Sequence, residues 1–157
     1  GRESTWRVAG DRQMKLILIG DGDDRLALEK FAHDENVVFE GQQSHERAMV
    51  EMTRSKVTVT PSACWETFGL SSAESMSNGT PVVVSDIGAL PDLVGDGECG
   101  EVFESGNAEA LAAAIRRLLN RPDYDEMCER CKKRVAERYS EEANYRRLME
   151  IYDGVLA

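Results

Sequence analysis

Short, unbroken apolar runs alternate with helical patterns along most of this chain, and that alternation constrains the fold more than any other feature. Runs of four or five residues rich in β-branched side chains, without polar alternation, favour strands that are buried on both faces. Strands that alternate with helices predict an α/β fold, Rossmann-like, with a mainly parallel sheet and helices on both faces. The predicted strands are 15–19, 37–39, 56–60, 81–85 and 100–103.

Helical patterns fill the intervals and the C-terminal third. Ser44 is the predicted N-cap of the second helix, and Gly79 stands where a glycine just past a helix end is expected. One helical turn is expected within the glycine-rich stretch 88–98. The predicted helices are 24–33, 44–55, 68–78, 108–120, 123–138 and 140–155.

The length of 157 residues suits one domain with a real core. We expect a folded domain over 14–157, preceded by a residual start or linker over 1–13. No apolar run approaches the roughly 20 residues that a spanning helix needs, and 1–13 lacks the apolar centre of a signal peptide. These features predict a cytoplasmic protein.

Acidic side chains outnumber basic ones by 29 to 19, which gives a net charge of −10. This balance argues against nucleic acid, or an anionic membrane reached by long-range attraction, as a partner. A phosphate ligand is still possible, because backbone amides at a helix start bind phosphate inside acidic proteins.

Cys128 and Cys131 form a C-x-x-C within a run of helix formers. Zinc or redox chemistry would need a second cysteine or histidine pair nearby in the sequence, and His33 and His45 are distant. The i, i+3 spacing therefore predicts packing on one helix face. The basic trio 132–134 on the same helix predicts a solvated face.

Ligands of parallel sheets bind beyond the carboxyl ends of the strands. Here those ends are the turn 20–22, the pair Glu40 and Gly41, and the segments 61–68 and 85–90. Neither His33 nor His45 follows a strand directly, so neither is expected at this edge.

The segment 61–81 holds two carboxylates, Glu66 and Glu74, with seven residues between them. Eight steps along a continuous helix would leave them about 80° apart, within reach of one crevice. The amides of Phe68, Gly69 and Leu70 at the predicted helix start suit a phosphate, and Gly69 would let a ligand approach the main chain. Carboxylates accept hydrogen bonds from sugar hydroxyls, so the combination predicts a sugar-phosphate ligand.

Trp65, beside Glu66, would either stack on a sugar or base or pack under the loop. The sequence alone leaves both alternatives open.

The segment PSACWETFGLSSAESMSNGTPVVVSD, with its Glu66-x7-Glu74 spacing, resembles the donor-site signature of the large retaining glycosyltransferase family with the GT-B fold. LILIGDGDDR before it and DIGALPDLVGDGECGEVFESG after it match in the same order, so the resemblance covers about residues 14–152. Ser75 stands where that family usually has alanine.

The resemblance implies transfer of a sugar from a nucleotide-diphospho-sugar, with retention of anomeric configuration and without a metal or other cofactor. Glu66 would be the catalytic-site carboxylate that contacts the donor sugar. Glu74 would bind the ribose, and the amides of Phe68, Gly69 and Leu70 would hold the diphosphate. The residues implied to line the nucleotide pocket are Gly20, Gly22, Glu40 and Gly41.

Only the C-terminal, donor-binding half of such an enzyme is matched. The resemblance therefore implies an N-terminal domain, absent from this sequence, that would hold a sugar or lipid-linked acceptor and could bring peripheral membrane association. Gly1-Arg2 would be the tail of the family's first strand, but the Lys-Gly that opens the family's first helix has no match in 1–13. We thus expect an incomplete first βα unit and a sheet without its central strand.

Three alternatives remain open at this point. One is a non-catalytic nucleotide-binding module that keeps the signature, and another is an inactive fragment of the family. The third is a nucleotide-sugar epimerase-like enzyme, which would need an acid or base such as His33 or His45 in the crevice.

Overall fold

The structure of the protein is a computed structural model that describes residues 14–32 and 35–156. Five strands form at the five predicted runs: β1 (Leu16–Ile19), β2 (Val37–Gly41), β3 (Thr58–Thr60), β4 (Val82–Ser85) and β5 (Gly100–Phe103). The helices are α1 (Arg25–Phe31), α2 (His45–Arg54), α3 (Leu70–Ser77), α4 (Leu90–Val94), α5 (Ala108–Leu119), α6 (Tyr124–Tyr139) and α7 (Glu141–Leu156). The predicted linker 1–13 and His33 lie outside the described residues.

All strand pairs within the described ranges are parallel, which confirms the α/β prediction. The strands form two sheets instead of one, with the orders β1-β2 and β3-β4-β5. Strands β1 and β3 do not pair with each other. The expectation of a missing central strand concerns residues 1–13, which lie outside the described residues, and it stays a prediction.

The hydrophobic core lies around β4, whose four residues are all buried. Met76 of α3, Leu118 of α5 and Met127 of α6 pack into this core with no exposed surface. Complete burial of Val82, Val83 and Val84 explains why this strand reads as an unbroken apolar run.

Helix α3 lies against β3 through small and hydroxyl-bearing residues. The hydroxyls of Thr60 and Ser72 share a hydrogen bond of 2.7 Å, and Ser75 Oγ donates to Thr58 Oγ1 at 2.7 Å. Gly79, with φ of 81°, follows the C-cap and is the predicted terminator. Ser75 is fully buried, so its hydroxyl replaces the usual alanine without leaving an unpaired polar group.

Helix α6 packs through Cys131, as the i, i+3 spacing predicts. Cys131 is buried and its Sγ donates to the carbonyl oxygen of Cys99 at 3.4 Å, whereas Cys128 is only partly buried. The contact with the Cys99 thiol, and then burial, raise the pKa of Cys131 above that of an ordinary thiol. These features fit structural packing.

The expected solvated face at 132–134 is wrong for Arg134. Its side chain is only 10% exposed and forms an ion pair of 2.8 Å with Glu98. The guanidinium also donates to the carbonyl oxygens of Leu93 and Asp92, at 2.9 and 2.8 Å. The α4 C-terminus supplies these carbonyls, so Arg134 joins α6 to α4 where a charge pattern alone predicts solvent.

Helix α7 packs on α6 and leaves Tyr145, Leu148 and Tyr152 exposed. Within the described ranges, no helix combines the length and the apolar character needed to cross a bilayer.

Candidate functional site

Three loops that follow β3, β4 and β5 are hydrogen-bonded to one another at the carboxyl edge of the sheet. Ser105 Oγ donates to the carbonyl oxygen of Ser62 at 3.1 Å, and the Ser105 amide donates to Asp86 Oδ1 at 2.9 Å. The Ala89 amide donates to the Glu66 carbonyl oxygen at 2.9 Å. The edge expected to bind ligand is therefore a connected framework.

Glu66 is held in this framework from two sides. Ser62 Oγ donates to Glu66 Oε1 at 2.8 Å. Behind the main chain of Glu66 lies Gly88, where any Cβ would collide with the Glu66 backbone and where φ is 61°. The carboxylate is partly exposed, so it is positioned and still open to a ligand.

Trp65, next to Glu66, is 80% exposed. The alternative in which it packs under the loop is wrong. Ser62, Gly88 and Ala89 contact Glu66, and the indole of the neighbouring Trp65 lies in solvent.

Helix α3 begins at Leu70, two residues later than predicted, because Gly69 has φ of 83° and serves as the N-cap. The first bond of the i to i−4 series joins the Ala73 amide to the Gly69 carbonyl oxygen at 3.1 Å. The first-turn amides therefore belong to Leu70, Ser71 and Ser72, and no side chain caps them. Of the three amides predicted for a diphosphate, only Leu70 lies in the first turn.

Gly69 also makes room for packing inside the fold. A Cβ at this residue would lie 2.5 Å from Leu90 Cδ2, so the glycine lets α4 pack closely, and the approach of a ligand to its main chain stays a prediction. Phe68 packs its ring edge-on against Tyr139 at 5.2 Å. Both residues anchor the start of α3. Because Glu66 lies in the loop, the helical angle of about 80° to Glu74 does not apply.

Glu74 lies one turn into α3, with its side chain 25% exposed. The Nδ1 atom of His45 is 3.8 Å from Glu74 Oε1, so the expectation that His45 lies away from this edge is wrong. The connection from β2 to α2 is only three residues long, 42–44, and α2 therefore starts beside α3. Ser44 is the predicted N-cap, and its Oγ accepts from the Arg47 amide at 3.2 Å.

The turn 20–22 and Gly41 come together at the end of the β1-β2 sheet, where the Gly20 amide donates to the Gly41 carbonyl oxygen at 2.8 Å. Arg25 covers this point, since a Cβ on Gly41 would lie 2.5 Å from its Nη1. Asp21 and Glu29 hold the guanidinium at 3.4 and 2.8 Å. Sequence reasoning missed Arg25, although its i, i+4 spacing to both carboxylates is a usable signal.

Glu40 is engaged by a neighbour on α2. Its Oε1 accepts from Arg47 Nη2 at 3.2 Å, and the same Nη2 lies 2.8 Å from Glu51 Oε1. The hydrogen bond to Glu40 raises the pKa of Arg47. Because the Glu40 carboxylate is paired with Arg47, the groups of Glu40 and Gly41 that a ligand could contact are mainly backbone atoms.

The structure thereby brings Glu66, the first turn of α3 and Glu74 to one edge, with Gly20, Gly22 and Gly41 at the end of the neighbouring sheet. Carboxylates accept hydrogen bonds from ligand hydroxyls, and uncapped helix amides donate to phosphates. This combination suits a polyhydroxylated, phosphorylated ligand. Within the described ranges, no group of three or more histidine, cysteine, aspartate or glutamate residues is arranged to hold a metal ion.

Known proteins are similar to this chain along most of its length. A phosphatidyl-myo-inositol mannosyltransferase of Mycobacterium leprae is 29% identical over 90% of this chain and 38% of its own length. A GDP-mannose-dependent α-(1-6)-phosphatidylinositol dimannoside mannosyltransferase of Mycobacterium tuberculosis is 33% identical over 78% of this chain and 31% of its own.

Among solved structures, the sucrose-phosphate synthase of Thermosynechococcus elongatus superposes with a TM-score of 0.75 at 28% identity, covering 90% of this chain and 38% of that one. The chain thus spans less than two fifths of the length of each of these three proteins. The family described as glycosyl transferases group 1 matches residues 7–138. This chain belongs to that family and has an α/β fold that matches part of GT-B glycosyltransferases.

Proposed function

We propose that this chain is the donor-binding part of a retaining glycosyltransferase and holds a nucleotide-diphospho-sugar for hexosyl transfer. The observation that carries the proposal is the arrangement of Glu66, the uncapped first turn of α3 and Glu74 at one carboxyl edge. A relative that is 33% identical is named for its dependence on GDP-mannose, which supports a nucleotide-sugar donor.

Glu66 accepts hydrogen bonds from the donor sugar in this proposal. Its position depends on Ser62 and on the close approach of Gly88, so the carboxylate meets the sugar without first being reorganised. Such preorganisation is a main source of rate enhancement in enzymes.

The first turn of α3 binds the diphosphate. The amides of Leu70, Ser71 and Ser72 lack a side-chain cap, and the helix dipole adds partial positive charge at the same end. The negative charge that develops on the departing nucleotide is stabilised there, without a bound metal in this proposal.

Glu74 binds the ribose hydroxyls, and the main chain around Gly20, Gly22 and Gly41 lines the nucleotide pocket. Arg25, which covers Gly41, joins this set as a residue not found from the sequence. The acceptor, a sugar or a lipid-linked sugar, would be held by a domain outside this sequence, with the reaction in the cytoplasm or at its membrane surface.

The test is calorimetric titration of the 157-residue chain with UDP-glucose, GDP-mannose and ADP-glucose. We expect base-selective binding to one of them. Glu74→Gln should weaken that binding by about tenfold or more, because a charged hydrogen-bond acceptor is lost. Glu129→Gln is the matched control, since that side chain on α6 is 73% exposed and should leave the affinity unchanged.

No binding at millimolar concentration of any of the three donors would contradict the proposal. The isolated chain should also transfer little sugar, because the acceptor part is outside it. A high transfer rate from this chain alone would contradict the division of roles.

Two further measurements distinguish the alternatives: titration with free UDP and GDP, and proton NMR of the donor sugar in the presence of the chain. A nucleotide-binding module would bind free UDP or GDP and not the intact sugar nucleotide. An epimerase-like enzyme would convert the donor sugar without any acceptor, which proton NMR detects. The position of His45 beside Glu74 meets the geometric requirement of that last alternative, while membership of the transferase family favours transfer.

A further inference from the structure

One titratable side chain at the carboxyl edge has no role in the proposed function. His45 is the first residue of α2 and is 67% exposed, with Nδ1 at 3.8 Å from Glu74 Oε1. In its protonated form the imidazole would be the ion-pair partner of Glu74.

The other basic groups that surround this edge are engaged by carboxylates that are not part of the ribose site. Arg25 is held by Asp21 and Glu29. Arg47 is held by Glu40 and Glu51. In the part of the chain that the structure describes, the basic partner of Glu74 is thus His45.

An anionic ligand that approaches this edge meets a chain with a net charge of −10. A local positive charge lowers the electrostatic cost of bringing a diphosphate there. Protonated His45 would supply that charge and would also hold the Glu74 carboxylate in one orientation toward the ribose hydroxyls.

We propose that His45 is a positioning and charge-supplying residue of the nucleotide site, and that donor affinity rises as pH falls through the range in which histidine gains a proton. This inference rests on the proposed function, because it requires that Glu74 binds the ribose.

The other charged groups on the elements around His45 are Glu46, Arg47, Glu51 and Arg54 of α2, Glu74 of α3 and Glu40 of β2. Among these residue types, histidine is the one whose charge ordinarily changes between pH 5 and 8. A change of affinity over that interval that disappears with His45 is therefore assigned to this side chain.

The test measures the affinity of the full chain for UDP-glucose and GDP-mannose at pH 5.5 and pH 8.0. Sugar nucleotides are the right probes, because their diphosphate is a diester and keeps a constant charge over this interval. The variants are His45→Gln, Glu74→Gln and Lys133→Gln. The last removes a positive charge from a side chain that is 73% exposed on α6 and serves as the control for net charge.

We expect the parent chain to bind about two- to fivefold more tightly at pH 5.5 than at pH 8.0, the range set by a partly exposed ion pair. His45→Gln should bind equally at both pH values, at the weaker level, whereas Lys133→Gln should keep the parent's ratio. In the Glu74→Gln background, His45→Gln should change the affinity less than it does in the parent.

Two outcomes would overturn the inference while leaving the proposed function intact. One is a parent affinity that does not change with pH, and the other is a pH dependence that survives in His45→Gln. Failure of the parent chain to bind either donor at both pH values would overturn the proposed function itself.

Discussion

The two sheets of this domain differ in how much core supports them. Around β3, β4 and β5, the buried apolar side chains form one cluster that runs from Ala73 to Cys131. Around β1 and β2, the described strands are only partly covered and α1 contains no buried residue. Both regions contain parallel strands and amphipathic helices, so secondary structure alone does not distinguish them.

This difference shows that a carboxyl edge can be assembled from parts of unequal stability. Glu66 and Glu74 lie on the well-packed side, while Gly20, Gly22 and Gly41 lie on the side with little core. Local opening free energies follow such differences in burial. The half of the pocket proposed for the sugar, diphosphate and ribose should therefore be stiffer than the half that lines the rest of the nucleotide.

The largest expected effect comes from truncating one leucine in each region. Leu118 of α5 is fully buried and Leu28 of α1 is 50% exposed. Leu118→Ala should lower the free energy of unfolding by about 2–5 kcal/mol, through lost burial and a cavity, and Leu28→Ala by about 0.5 kcal/mol or less. Urea denaturation of both variants checks this, and equal losses would remove the distinction between the two regions.

The second effect concerns the loop that supports Glu66. Gly88 and Gly106 both have positive φ, at 61° and 77°, but only at Gly88 would a Cβ meet another part of the chain. Both alanine variants should lose about 1 kcal/mol from backbone strain, and Gly88→Ala a further 1–3 kcal/mol, roughly, from overpacking. Gly88→Ala should also weaken donor binding, because Glu66 must shift. Similar unfolding and binding of the two variants would contradict this.

The third effect tests a polar link inside the well-packed region. Arg134 donates to two carbonyl oxygens of α4 and pairs with Glu98, at 10% exposure. Arg134→Gln should cost about 1–3 kcal/mol, because partly buried acceptors lose a charged donor. Lys133→Gln, one residue away and 73% exposed, is the control. A loss as small as that of the control would mean that the link does not stabilise the fold.

The smallest effect is expected at the surface of the same region and appears only in acid. Hydrogen bonds from Arg121 and then Arg130 hold the pKa of Asp123 well below its ordinary range. A lowered pKa stabilises the folded state above the unfolded carboxyl pKa of about 4, and this contribution is lost as pH falls further. The melting temperature should therefore fall more steeply below pH 4 in the parent than in Asp123→Asn. Parallel slopes would contradict the assignment.

The sequence predicts the five strands well because the local preferences of their residues and the burial of their side chains favour the same structure. Val82, Val83 and Val84 are β-branched, apolar and bounded by Pro81 and Asp86, so local preference and burial favour the same structure. The end of α3 is also predictable, since Gly79 can adopt the required positive φ.

The features that the sequence does not predict depend on tertiary contacts. The need for a glycine at residue 69 depends on Leu90 of a later helix, which occupies the space where a Cβ would lie. His45 reaches Glu74 only because α2 and α3 lie side by side, and Arg134 is covered only because α4 ends against it. In each case the decisive neighbour is more than 20 residues away in the chain.

The hydroxyl pairs between α3 and β3 have a mechanical consequence. Thr58 pairs with Ser75 and Thr60 with Ser72, so a slide of the helix by one residue would break both bonds at once. These two bonds therefore fix the register of α3 against β3 and oppose sliding of the helix along the strand. Glu74 lies between the two serines in the chain, so these bonds tie its main chain to β3.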